Sequence, residues 1–384
     1  MNTLTAEQRW FYFCILVAIV IKFSLFFYIV NVIPLAFIDG DTPVYLQGAK
    51  AIHDFLINPS HGLMHNSQAL PGYPSLLALF LYGFNLSIAQ IVFIQIILNF
   101  VTVFVVMKIA RAINPKLEKL AGIIVLLDLP LTIYSQMIMT EAIFVTVLAC
   151  VILFFHRYIV NPTYQRLLLA ALLLALLLYI RPVSYFLPIF IAAFVLLSGC
   201  AGSRKQGLIH VFLILLISYG ACMPWQYHNY KRFGNARMSS IGDNTIQVHS
   251  FWKDSQEKKS KYGRHMPDVI YYPFAFSRNV LELLTAPGSV SPCKSRGWTV
   301  FVKIFGYGFV AFWIPGFLVG LFKGPRDLRY WLLIMIMGYF LCVTIMATGW
   351  TVTSRFRIAM LPSIAVIAAV GWFKIVSWLP NKYT

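Results

Sequence analysis

The sequence predicts an all-α bundle that crosses a membrane about ten times. Three observations predict it. The 384 residues are 59% hydrophobic and only 11% charged, with a mean hydropathy of +0.75, and a soluble fold of that makeup would expose large apolar patches. Apolar runs of about 20 residues, the length that carries a helix across a bilayer, recur from Trp10 towards the C-terminus. The short alternating strands of a transmembrane barrel are missing from the pattern, so helices, which satisfy their own backbone in lipid, are what remains.

The first run, residues 10–33, follows Arg9. It is longer than a cleavable signal core and no A-x-A-like site follows it, so a retained first span is expected. Residues 34–87 form an outer segment. In it Thr42 and Pro43 mark a helix start, the hydroxyl serving as cap and the proline as first helical residue. The helix runs from Pro43 to about Phe55, with Val44, Gly48, Ile52 and Phe55 on one stripe that can lie flat on the bilayer. The stretch PGYPSLLALFLYGF, Pro71 to Phe84, is apolar but short for a crossing. Spans are then expected at 88–110, 118–134, 138–158, 165–180, 183–200 and 206–223, a second outer segment at 224–298, and spans at 299–321, 330–348 and 357–377. This divides the chain into an N-terminal membrane module (1–223), the long outer segment (224–298) and a C-terminal membrane part (299–384).

Charge fixes the treatment of Pro71–Phe84. If it lies in the interface, then Arg9, the Lys108, Arg111, Lys116 and Lys119 cluster, Arg157 with Arg166, Arg204 with Lys205, Lys323 with Arg326 and Arg329, and Lys374 with Lys382 share one side. The positive-inside rule makes that side cytoplasmic, with both termini on it. The outer segment 224–298 is nonetheless rich in Lys and Arg, which reads either as a solvated loop attracted to anionic headgroups or as the holder of an anionic ligand. With a net charge of +18 and no nucleic-acid module in the pattern, an anionic partner at the membrane is expected and nucleic acid is not. Cys14, Cys150, Cys200 and Cys342 sit in apolar runs as small core residues. No disulfide framework or metal-ligand spacing is visible; Cys222 and Cys293 flank the long outer segment and leave open a bridge or two free thiols.

Two carboxylates, Asp39 and Asp41, precede the Pro43 helix in the stretch FIDGDTPVYLQGAK. One reading of Asp41 is a carboxylate that complements the helix N-terminus, worth about 0.3–1 kcal/mol. The other is a general base or metal ligand where a lipid headgroup meets a water-borne acceptor. Glu141, Arg181, Arg355 and Arg357 gather at the same level. Each alone can anchor a helix end or snorkel, but acids opposite arginines on one face of a bundle point to a site. Lys22 and Asp128 lie deeper and are expected to pair as a structural salt bridge, a proton path being the alternative.

Several stretches then match a known pattern: DGDTPVYLQGAK, PGYPSLLALF, MTEAIF, YIRPVSYFLP, PWQYHNYKRFGNARMSSIGDN and SRFRIAMLP, in order over nearly the whole chain. The sequence resembles the GT-C superfamily of polyprenyl-phosphate-sugar-dependent glycosyltransferases, in particular the branch with protein O-mannosyltransferases and lipid A aminoarabinose transferases. The resemblance implies a GT-C-like bundle with interfacial helices in the first outer segment. It also implies an inverting transfer of sugar from a polyprenyl-phosphate donor to a hydroxyl of a glycan, lipid or protein acceptor, at the outer face of a bacterial inner membrane. It places the activating acid at Asp41, with Asp39 as second choice. Substrate contacts fall on Tyr45, Tyr73, Glu141, Arg181, Arg355 and Arg357, and on His228, Lys231 and Arg232 at the start of the long outer segment. The family often has Glu beside its Asp, and Thr42 stands here, so a divalent metal ion at Asp39, Asp41 and Glu141 is left open. Without a soluble C-terminal domain in the sequence, loops are expected to recognise the acceptor. A flippase of lipid-linked saccharides is the alternative from another class, but such proteins place the site near the midplane between repeats, and no internal repeat is seen.

Overall fold

The computed structural model describes residues 6–38, 40–59, 70–239, 250–262, 266–288 and 295–378. Among these residues every regular element is helical, and seven helices are long and apolar enough to cross a membrane. They are α1 (Ala6–Val32), α4 (Ile88–Ile113), α7 (Glu141–Val160), α10 (Arg204–Phe233), α13 (Arg296–Lys323), α14 (Leu328–Thr348) and the segment Ser354–Trp378, which comprises a short α15 (Ser354–Arg357) and α16 (Leu361–Trp378). Two shorter apolar helices, α8 (Tyr164–Ile180) and α9 (Leu187–Ser198), complete the bundle with α7 and α10. The chain is an integral, multi-pass membrane protein.

The expected span at 118–134 is not one helix. It breaks into α5 (Glu118–Leu126) and α6 (Leu129–Tyr134), because Asp128 takes the N-cap position and accepts from the Leu131 amide at 2.8 Å, with Pro130 in the first turn. Lys22 and Asp128 stay within electrostatic reach of each other but form no direct salt bridge. Lys22 Nζ donates to Thr132 Oγ1 at 2.5 Å, while Asp128 Oδ2 faces Arg357 Nη2 at 3.7 Å.

The first outer segment carries α2 (Thr42–Ile57) and α3 (Gly72–Ala78). α3 continues through a five-residue wider turn, Leu79–Gly83, and together they span roughly 18 Å, well short of the ~30 Å hydrocarbon core. α2 packs on α3, with Gly48 and Ala49 buried. α3 in turn lies on α8 so closely that a Cβ on Gly72 would sit 2.6 Å from the Tyr179 carbonyl oxygen. Such close approach recurs where α13 meets α16, whose backbones touch along Gly316 and Gly320 of a G-x-x-x-G stretch.

The long outer segment is more helical than a loop. α10 runs on past the expected end at 223 to Phe233, with Pro224 inside it. Beyond it lie α11 (Phe251–Tyr262) and α12 (Asp268–Thr285). α12 buries Tyr271, Ala275, Asn279 and Leu283 on one stripe and leaves Val269, Ile270, Phe274 and Leu281 exposed, the pattern of a helix between a bundle and lipid. Cys222 is a free thiol; Cys293 lies outside the described residues.

The two ends of the bundle differ. At one, the basic turns meet: Arg329 donates to the Ala112 carbonyl, Lys116 stands over the Phe373 ring at 5.9 Å, and Tyr158 bonds His210 at 2.7 Å. At the other lie Asp41, Glu141, Arg181 and Arg355.

Candidate functional site

The site is assembled from four separate elements. Gly40, with φ +60°, turns the chain out of the first span and into α2. Asp41 then occupies the N-cap position of α2 without its carboxylate bonding a helix amide. The side chain is instead 45% exposed and accepts from Arg355 Nη2 at 2.8 Å. Asp41 thus sits at the helix N-terminus that its charge can complement, and uses its hydrogen bond in an ion pair across the bundle.

Glu141, the first residue of α7, has no exposed side-chain surface. Its Oε1 accepts from Arg355 Nε and from Arg181 Nη1, the latter at 3.2 Å, while Oε2 has no partner. Arg181 is the C-cap residue of α8 and is 13% exposed; Arg355, at the entry to the last span, is 18% exposed. Aromatic rings lie beneath both cations, Tyr134 at 5.8 Å from Arg355 and Phe144 at 5.5 Å from Arg181. Two carboxylates and two guanidiniums thus form one balanced cluster, with its buried pole at Glu141 and its open pole at Asp41.

The irregular stretch between α6 and α7 holds the cluster in place. The Ile138 amide donates to the Phe37 carbonyl at 3.0 Å, and the Thr42 hydroxyl donates to the Ile138 carbonyl at 3.0 Å. Gln95, buried in α4, donates to the Met137 carbonyl at 2.6 Å and accepts from the Tyr73 hydroxyl at 2.7 Å. Tyr73 packs edge-on against Tyr45, with ring centroids 5.1 Å apart. Burial first, and then the Asp41 and Glu141 carboxylates, push the Tyr45 phenol up to about 12, so it stays a proton-bearing group at neutral pH.

The remaining expected residues lie elsewhere. Arg357 is 2% exposed and donates through Nη1 to the carbonyls of Leu284 and Ala286, both at 2.8 Å; two residues beyond Arg355, it faces Asp128 and the end of α12. His228 stacks on Trp225, and Lys231 and Arg232 stand exposed near the end of α10, over the rings of Tyr227 and Phe233. Tyr179 of α8 bonds the Ala221 carbonyl of α10, which sets these three about two helical turns beyond the Arg181 end. Asp39 lies outside the described residues. Among those described, no three His, Cys, Asp or Glu side chains come together to hold a metal ion, and Arg355 fills the position between the Asp41 and Glu141 carboxylates. Gln95 and Tyr134 were not foreseen; a lone amide inside an apolar span was the available signal for Gln95.

A family model described as dolichyl-phosphate-mannose-protein mannosyltransferase matches residues 67–228, the part that contains Tyr73, Glu141 and Arg181. Among solved structures, the chain is similar to the archaeal oligosaccharyltransferase AglB from Archaeoglobus fulgidus in complex with an inhibitory peptide and a dolichol-phosphate. The TM-score is 0.52 at 14% identity, covering 89% of this chain and 48% of that one. The chain is similar in fold to these membrane glycosyltransferases, and in sequence over residues 67–228 to the mannosyltransferase family. A second A. fulgidus oligosaccharyltransferase structure, tethered to an acceptor peptide containing the NVT sequon, is similar to this chain with a TM-score of 0.50 at 13% identity over 82% of it and 42% of the other. The chain thus spans about half the length of these relatives or less. No curated protein matches it. At such identity the solved relatives establish the GT-C fold, and the chemistry must come from this chain's own side chains.

Proposed function

We propose that the protein is an inverting glycosyltransferase that moves a sugar from a polyprenyl-phosphate donor to an acceptor hydroxyl at the outer membrane face. The observation that carries this reading is the Asp41–Arg355–Glu141–Arg181 cluster, at the end of the bundle opposite the basic turns. Asp41 is the base. It is the open pole of the cluster, with an acceptor-only carboxylate when ionised. Arg355 and Arg181 bind the donor phosphate, for which a planar, permanently charged fork is suited. Glu141, fully buried between them, orients both guanidiniums and does not itself touch substrate.

The acceptor O–H gives its proton to Asp41 as its oxygen bonds the anomeric carbon. The bond from that carbon to the phosphate oxygen breaks, and the electron pair leaves with the polyprenyl phosphate, whose charge the arginines stabilise. A single displacement opposite the leaving group inverts the anomeric centre. The charge balance adds an order to the events. The cluster is neutral, so an arriving phosphate competes with Asp41 for Arg355 and frees the carboxylate only when donor is present. Tyr45 stands one turn along α2 from Asp41, with the buried Tyr73 packed against it as support, and Lys231 and Arg232 extend the cationic surface for the lipid headgroup. Arg357 fastens the outer segment and contributes no substrate contact.

A labelled polyprenyl-phosphate sugar incubated with the purified protein and candidate acceptors in detergent tests the proposal. Transfer to acceptor is expected. Movement of label only across a sealed bilayer, with no transfer in detergent, would leave the flippase reading instead.

A further inference from the structure

We infer that the long outer segment positions Arg355, with Asp254 as the residue that sets the turn on which Arg355 stands. The inference rests on the reading of Arg355 as a donor-phosphate ligand. Between α14 and α15 the chain makes a short 3-10 turn, Gly349–Thr351, that starts at Gly349, where φ is +51°. Within the turn the Thr351 hydroxyl donates to the Thr348 carbonyl at 2.5 Å, and the outer segment adds further bonds from outside. The Trp350 amide donates to Asp254 Oδ2 at 3.1 Å, and its indole Nε1 donates to Ser255 Oγ at 3.3 Å. Asp254 and Ser255 are both buried, in α11. From α12 the Arg278 guanidinium covers the Trp350 ring at 4.3 Å and is itself held by Glu282 at 2.5 Å.

One of these two helices, α12, also grips the chain on the far side of Arg355. Arg357 donates to the Leu284 and Ala286 carbonyls at the C-terminal end of α12, where unpaired helix carbonyls favour a cation. The backbone is therefore held five residues before Arg355 and two residues after it by one outer unit. A carboxylate removed from water to hold a single backbone amide is costly unless the geometry it fixes matters. What it fixes is the approach of Arg355 to Asp41 and Glu141. Asp254, Ser255 and Arg278 are thus positioning residues that reach the phosphate site only through Arg355.

The test uses full-length protein in detergent, with decaprenyl phosphate as the probe and two readouts. Hydrogen exchange should rise across residues 349–357 in Asp254→Ala and stay at the parental level in α7. Asp254→Asn, which keeps an acceptor oxygen, should restore most of the protection. Decaprenyl-phosphate affinity should fall about tenfold in Asp254→Ala, the size expected for a hydrogen bond to a charged group. That loss should vanish when Arg355→Ala is already present, because coupled residues are not additive. Unchanged exchange at 349–357 in Asp254→Ala overturns the inference, and so does an affinity loss of equal size with and without Arg355. If Arg355→Ala alone binds decaprenyl phosphate like the parent while Asp254→Ala still loosens the turn, the phosphate reading of Arg355 falls and the positioning of its turn by the outer segment stands.

Discussion

Replacing Arg355 by Lys separates a phosphate ligand from a helix-end anchor, because it keeps the charge and removes the fork. In the structure one guanidinium serves two carboxylates, Nη2 reaching Asp41 at 2.8 Å and Nε reaching Glu141. An ammonium is a compact point charge whose three donors share one nitrogen on a flexible stem, so in keeping Asp41 it gives up the separate contact that Nε makes with Glu141. Glu141, with no exposure, would then depend on Arg181 alone at 3.2 Å. Losing one aligned donor to the leaving phosphate should cost about 2 to 4 kcal/mol in the transition state, by analogy with removing an oxyanion-hole donor, or roughly 30- to 900-fold in rate. Arg355→Ala should lose at least as much and also destabilise the fold by about 3–5 kcal/mol, since it strips one cation from a buried pair. Turnover at saturating labelled donor in detergent, with a thermal-unfolding control, is the measurement. If Lys and Ala variants both turn over like the parent, Arg355 is only an anchor and the phosphate contact lies among the loop cations.

Asp41→Asn should abolish most transfer while decaprenyl-phosphate binding persists, because an amide does not take a proton near neutral pH; normal turnover in Asp41→Asn together with loss in Asp39→Asn would move the base to Asp39. Tyr45→Phe should leave the pH–rate profile unchanged in shape up to pH 10, since the phenol, pushed up to about 12, stays protonated through that range; disappearance of an alkaline limb in the variant would contradict this. Gly72→Val should force α3 off α8, given the 2.6 Å approach of a Cβ to the Tyr179 carbonyl, at a cost of about 1–3 kcal/mol seen as a lower thermal midpoint. Cysteines placed at Lys50 and Lys116 should label from opposite sides with an impermeant reagent, and labelling from the same side would remove the interfacial placement of Pro71–Phe84.

The parts of the fold that were legible are those that a single local signal dictates. Hydropathy marked the long helices, and Thr42 with Pro43 marked the start of α2 to within a residue. The Asp128–Leu129–Pro130 sequence was an equally local signal, a cap followed by a first-turn proline, but an apolar window from 118 to 134 hid it. Pro224 had the opposite effect: it suggested the end of a span, and α10 carries it internally and continues to Phe233. In the long outer segment, α11 was missed because its charged composition reads as loop, whereas α12 is mostly apolar and carries a buried stripe at positions 271, 275, 279 and 283.

For the candidate site, residue type and helix-end position were enough to nominate Asp41, Glu141, Arg181 and Arg355, but no local pattern states which side chains meet. The difference between Arg355 and Arg357 shows why. Both are arginines at the entry of one apolar span, and the two-residue offset turns them to different faces. One face meets Glu141 and Asp41, on elements more than two hundred residues away; the other meets Asp128 and the carbonyls that end α12. Hydropathy could not have told the cation that meets Asp41 and Glu141 from the one that meets Asp128, because the distinction is made by α5, α6 and α12, and above all by the break at Asp128. That break gives Arg357 a buried anion and so leaves Arg355 as the cation with access to the open pole at Asp41.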